Sequence, residues 1–156
     1  MENKKVIKIL EFFKNIDSEI KLNQNIISDI ENTWYSNVGA IKMDGMPHSK
    51  GGVSSPTEST ALNIPDSVSK QIHSLENENE KLGVIRKEIL TELNALTYTQ
   101  KAVIWEFYVR GLQWVQISER LHYSDRHCKN IRTVALGILS IRFSRNKNIK
   151  SFSFPN

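Results

Sequence analysis

The side chains best able to do chemistry gather in one short stretch near the end of the 156-residue chain, where Asp125, Arg126, Lys129, Asn130, Arg132 and Thr133 fall within nine positions. At 100° per residue, a helix through this stretch turns Arg126, Lys129, Asn130 and Thr133 one way. Cys128, Ile131, Ala135 and Leu139 then line the other side. The outward set suits base reading. An arginine at 126 can fork onto guanine O6 and N7, and an asparagine at 130 can pair with adenine N6 and N7, each contact worth about 1 to 3 kcal/mol of discrimination. Thr133 completes the base-reading set. Asp125, in the first helical turn, suits the positive end of the dipole and either orients Arg126 or accepts from cytosine N4. Lys129 and Arg132 on the flanks, Ser124 at the capped helix start, and Gln113 upstream are the candidates for the nucleic-acid backbone.

Other chemistries fit less well. His122, His127 and Cys128 have metal-ligand side chains, but Cys128 falls on the inward stripe and no fourth ligand has suitable spacing, so neither a metal nor a cofactor is expected. His127 and Cys128 are adjacent and diverge by about 100°, which disfavours a catalytic pair. Ser49-Lys50-Gly51-Gly52 neither follows a strand nor ends as a phosphate loop does. Without paired carboxylates or a nucleophile with its base on one face, the chain does not read as an enzyme.

The elements that must position the outward residues are legible. Thr97-Tyr98-Thr99-Gln100 forms a capping box, and the helix it opens carries Val103, Ile104, Phe107 and Tyr108 until Gly111 stops it. Trp114, Ile117 and Leu121 mark a two-turn helix, His122-Tyr123-Ser124 a tight turn, and Ser124 the cap of the basic helix. This is helix-turn-helix logic over residues 97–143. Trp105 lies beside the inward positions, either as an interface anchor or as half-buried core.

Upstream, Val6, Ile9, Phe13, Ile16, Ile20, Ile27, Ile30 and Trp34 alternate by threes and fours, with Asn23 as the one polar seam position. Val68, Ile72, Leu75, Leu82, Ile89, Leu93 and Leu96 keep the same pattern, interrupted by Asn79 and Arg86. Packed antiparallel, these helices pair residues whose numbers sum to about 102, which sets Asn23 against Asn79 and fixes register. Arg86 then faces Ile16 unless it snorkels or Ile85 takes its place. Residues 1–96 thus read as a helical hairpin with a Gly/Pro-rich connector at 37–66. Within it, Ser55-Pro56-Thr57-Glu58 is a capping box for a short helix that Pro65 ends, and the stretch with Lys42, His48 and Lys50 reads as mobile when unbound. Leu10, Phe12 and Ile26 lie beside the seam as leftover apolar surface for a homodimer. Residues 144–156 read as a basic flexible tail. Arg142, Arg145, Lys147 and Lys150 either follow a phosphate backbone or solubilise the terminus, and Phe152 and Phe154 either add to a partner or pack back.

Composition narrows the partners. With 39% hydrophobic and 24% charged residues, the chain suits one domain or two small ones, and no apolar run suggests a membrane span or a secretory leader. A single cysteine fits a reducing compartment, so the cytoplasm of a bacterial host is the expected location. Net charge divides sharply: residues 1–96 hold 11 basic against 14 acidic side chains, residues 97–156 hold 10 against 3. Six of the seven arginines lie in that second part, which makes double-stranded DNA the partner to expect.

Gly111-Leu112-Gln113-Trp114-Val115-Gln116-Ile117-Ser118-Glu119-Arg120-Leu121, followed by Tyr123-Ser124-Asp125-Arg126 and Val134-Ala135-Leu136, resembles region 4 of bacterial sigma-70 factors. The arrangement over residues ~1–143, including Met46 to Glu58, resembles phage-encoded late transcription regulators of the ArpU/RinA type. The resemblance implies a sequence-specific activator of phage or prophage late genes. In it Asp125, Arg126, Lys129 and Asn130 fall on recognition-helix positions, and RNA polymerase is a further partner. Sigma factors carry basic residues or Glu where this chain has Asp125 and Arg126, so the resemblance implies a different base preference. No counterpart of the sigma regions for the other promoter element is recognisable, which points to an activator or a partial sigma-like subunit. The expectation is an all-α protein, a long antiparallel helical hairpin followed by a sigma-70 region 4-like helix-turn-helix. The alternative is a coiled-coil adaptor, or a polymerase-binding subunit, without DNA binding of its own.

Overall fold

The computed structural model describes residues 2–41 and 64–155, and every regular element among them is helical. The α-helices are α1 (Asn3–Ile41), α2 (Asp66–Asn94), α3 (Tyr98–Ile104), α4 (Trp114–Leu121), α5 (Asp125–Arg145) and α6 (Lys147–Ser151), with a π-helical turn, Trp105–Val109, prolonging α3. None is long and apolar enough to cross a membrane among the described residues. Helix α1 runs through Gly39, so the connector does not begin at 37. The capping box at Ser55, and Lys42, His48 and Lys50, lie outside the described residues. Pro65 ends the connector, and its carbonyl accepts from Val68 and Ser69 as α2 begins.

The chain divides into two compact units, a core unit of Met1–Glu19 with Lys81–Asn156 and a mid-chain unit of Ile20–Glu80. This division differs from one at residue 96. The start of α1 and the second half of α2 belong with the C-terminal helices because their apolar side chains are buried in that same unit, among them Val6, Ile9, Leu10, Ile16, Leu82, Ile85, Ile89 and Leu93. Ile85 takes the seam place that periodicity alone would give Arg86. Arg86 turns outward and grips Asp17 twice, Nε to Oδ1 at 2.6 Å and an Nη to Oδ2 at 3.0 Å.

Within the core unit α3, α4 and α6 pack on α5, whose Cys128, Ala135, Leu136, Leu139 and Phe143 are buried. Residues 144–155 pack into the core unit. Helix α5 continues to Arg145, the Asn146 side chain caps α6 by accepting from the Asn148 and Ile149 amides at 3.1 Å, and Ile149 is buried. Amides also tie α6 to α2: Asn146 donates to Glu88 at 2.8 Å and Glu92 at 3.0 Å, and Asn148 to Glu88 at 3.0 Å. Phe152 and Phe154 pack back, their rings 5.6 and 5.4 Å from that of Phe12. Leu10 and Phe12 are thus not leftover surface. Leu10 is buried and Phe12 is covered by the end of its own chain; of the three residues, Ile26 alone is exposed.

In the mid-chain unit Asn23 donates to Asn79 at 3.0 Å, the pairing that the polar interruptions predict. Asn23 is the one buried side chain among the unit's described residues. The apolar residues around it, including Ile20, Ile27, Ile30, Trp34, Ile72 and Leu75, are only half-buried.

Candidate nucleic-acid interface

Three helices of the core unit set the candidate interface. Helix α3 opens on the Thr97/Gln100 capping box, with Thr97 Oγ1 accepting from the Gln100 amide at 3.4 Å and Gln100 Oε1 from the Thr97 amide at 3.2 Å. Gly111, at φ 72°, ends the π-helical turn in a conformation that a side chain would strain. Helix α4 starts at Gln113, whose amide donates to Gln116 Oε1 at 2.9 Å, and stops at His122 in the left-handed region, φ 55°. Ser124 then caps α5, its hydroxyl accepting from the His127 amide at 3.3 Å. The turn is therefore closed at both ends by local hydrogen bonds.

Aromatic side chains fix the rotation of α5. Trp114 stacks on Phe107, centroids 4.3 Å apart and planes 20° apart, and Phe107 meets Tyr108 edge-on at 5.0 Å. Arg132 docks on this cluster. Its Nε donates to the Tyr108 hydroxyl at 2.8 Å, and its guanidinium lies 5.3 Å from the Phe107 centroid and 5.5 Å from that of Tyr108. Burial pushes the Tyr108 hydroxyl's pKa upward, partly opposed by Arg132. Arg132 thus spends its Nε on Tyr108 and its guanidinium face on the rings, a clamp between α5 and the π-helical turn. The signal was in the sequence: six residues from Arg126 is a rotation of about 120° away from the outward face.

The remaining candidates separate clearly. Arg126 and Asn130 are exposed with no partner among the described residues. Thr133 is exposed and its hydroxyl donates to the Lys129 carbonyl at 3.0 Å, leaving its oxygen lone pairs and methyl group outward. Asp125 bonds Lys129 at 2.8 Å, so its ion pair is with Lys129 rather than Arg126, and its Oδ1 is buried without a partner. Lys129 remains half-exposed and lies 5.8 Å from the Trp114 ring. Ser124 and Gln113 are exposed beside the turn.

Much of the arginine charge is used internally. Glu106, only 14% exposed, holds Arg110 at 3.1 Å and Arg120 at 3.5 Å, and Glu92 holds Arg142 at 2.7 Å. The Glu106 clamp, unforeseen in sequence although Arg110 stands at the i+4 spacing, ties α4 to the end of α3. Trp105 meets Phe13 at 5.9 Å and is half-buried, which makes it core rather than an anchor. Cys128 is buried, and burial raises its thiol pKa, with Asp125 nearby adding to the effect. No group of three His, Cys, Asp or Glu side chains able to hold a metal forms among the described residues. Comparisons with protein-family models, curated proteins and solved structures find no match to this chain.

Proposed function

We propose that this protein is a sequence-specific DNA-binding transcriptional activator that reads the major groove with the first turns of α5. The observation that carries the reading is Arg126, Asn130 and Thr133 exposed on one face of a capped helix whose opposite face is held by Arg132 and the aromatic cluster. A reader needs that rigidity, because a bidentate base contact fails when the helix rotates by a few tens of degrees. In this reading Arg126 and Asn130 choose bases, Thr133 offers its methyl group and oxygen, and Lys129, Ser124 and Gln113 meet the backbone. The long helices form an antiparallel hairpin, and α3, α4 and α5 a sigma-70 region 4-like helix-turn-helix. The resemblance supports phage or prophage late genes as targets and RNA polymerase as a second partner.

The test is a selection from random duplex DNA at ~0.15 M salt, with an Arg126→Ala/Asn130→Ala double variant alongside. Wild type alone is expected to enrich a defined site. Enrichment by neither protein overturns the reading.

One observation favours a second reading. Arg110 and Arg120 pair with Glu106, Arg142 with Glu92, and Arg132 bonds Tyr108, so fewer arginines are unpartnered than composition suggests. An adaptor that docks proteins through its helices would show no steep salt dependence. A DNA reader loses affinity with a slope that Lys129→Ala flattens by about one unit.

A further inference from the structure

We propose that the mid-chain unit is a self-association surface, occupied by the same unit of a second copy of this chain so that four helical segments share one core. The inference stands on burial in that unit and is independent of DNA binding. Two helical segments of 22 and 15 residues (20–41 and 66–80) cannot fully shield a seam between them, and Ile20, Ile27, Ile30, Trp34, Ile72 and Leu75 accordingly remain only half-buried. Helix α1 adds a flank that α2 lacks: Leu22 is 57% and Ile26 37% exposed, one turn apart beside the seam. The contact therefore centres on α1, which in a two-fold pair meets its own copy.

The asparagine layer argues for an identical partner. Asn23 is 7% exposed and makes one hydrogen bond, donating to Asn79. That leaves the Asn23 carbonyl and the Asn79 amide hydrogens without partners among the described residues. A second copy brings the same half-used pair to the same layer, so the amides complete one another and register is fixed; an unrelated helix would strand them. Area is sufficient as well. Segments about 25 Å long packed about 10 Å apart offer a face of roughly 500 Å², so two copies bury on the order of 1,000 to 1,500 Å², which reaches the size of specific interfaces. Asp29 shares the flank of Leu22 and Ile26 and the unit is net acidic, so the pairing is expected to tighten as salt screens that repulsion.

Light scattering of the full chain tests this. Wild type at about 50 µM is expected to show twice the mass of one chain, and Leu22→Lys/Ile26→Lys, which alters exposed positions only, half that value with unchanged helical circular dichroism. As a second measure, Ile26→Cys in a Cys128→Ala background is expected to oxidise to a covalent dimer. A single-chain mass for wild type, or a double mass retained by the lysine variant, overturns the proposal. Arg126→Ala keeps the double mass even if the DNA reading fails, so the two ideas fall separately.

Discussion

The core unit and the mid-chain unit draw on the same two long helices and treat them in opposite ways. In the core unit the start of α1 and the end of α2 bury nine apolar side chains in company with α3 to α6. In the mid-chain unit the same helices, on the same three-four spacing, bury one asparagine among the described residues. Periodicity marks which face of a helix is apolar; it does not say whether anything covers that face. Charge follows the same division. The mid-chain unit carries four lysines against eight carboxylates, whereas the core unit carries 17 basic against nine acidic residues.

The largest effect is expected where burial is complete. Phe143 is fully buried, and Phe143→Ala should cost about 3 to 5 kcal/mol in urea unfolding. Ile27→Ala, at a half-buried seam position, should cost about 1 kcal/mol for an isolated chain. Measured over a range of protein concentrations, a larger and concentration-dependent loss for Ile27→Ala would show that the seam is covered by another copy. Equal, concentration-independent losses at both sites would break the comparison.

A smaller effect separates two arginines six residues apart on α5. Arg132→Ala removes a hydrogen bond to Tyr108 and contacts with three rings, and should cost about 2 kcal/mol of stability. Arg126→Ala should change stability by no more than about 0.5 kcal/mol and act on DNA selection instead. If both variants unfold alike, Arg126 is a packing residue and the proposed reader loses its first contact.

What the sequence made legible follows from the range of each interaction. Local signals held: the Thr97/Gln100 box, the Ser124 cap and the stop at Gly111 depend on residues within a turn of one another. The Asn23 and Asn79 pair was readable across 56 positions because polar interruptions in two apolar seams have few ways to match. The packing of the last residues was not legible because composition there is basic and polar, while Asn146, Phe152 and Phe154 each find a partner far away in sequence and Ile149 is buried. The contact of Arg132 with Tyr108 was hidden for a related reason. An arginine near a candidate interface looks available until the aromatic cluster behind it is known, and three of those rings come from the preceding helices. The outward character of Arg126 and Asn130 needed only helical geometry; their action on DNA rests on chemistry that geometry permits.

The smallest expected effect concerns how each unit uses asparagine. In the mid-chain unit Asn23 and Asn79 bond each other, whereas in the core unit Asn146 and Asn148 both donate to Glu88. Those two amides hold the Glu88 carboxyl below its ordinary pKa of 4.5, Asn146 contributing most. A carboxylate whose pKa is depressed by folding adds stability above the unfolded value, and that contribution is lost as pH falls from 4.5 through the lower folded value. Asn148→Ala leaves the α6 cap in place and removes one donor, so Glu88 should titrate closer to 4.5 in the variant when followed by carboxyl NMR. The acid limb of its stability curve should be correspondingly shallower, and at pH values below both pKa values the Glu88 contribution to the difference between variant and wild type should vanish. Glu88 titrating identically in the two proteins would mean that the Asn148 amide does not reach it in solution, and that Asn146 alone ties the end of the chain to Glu88.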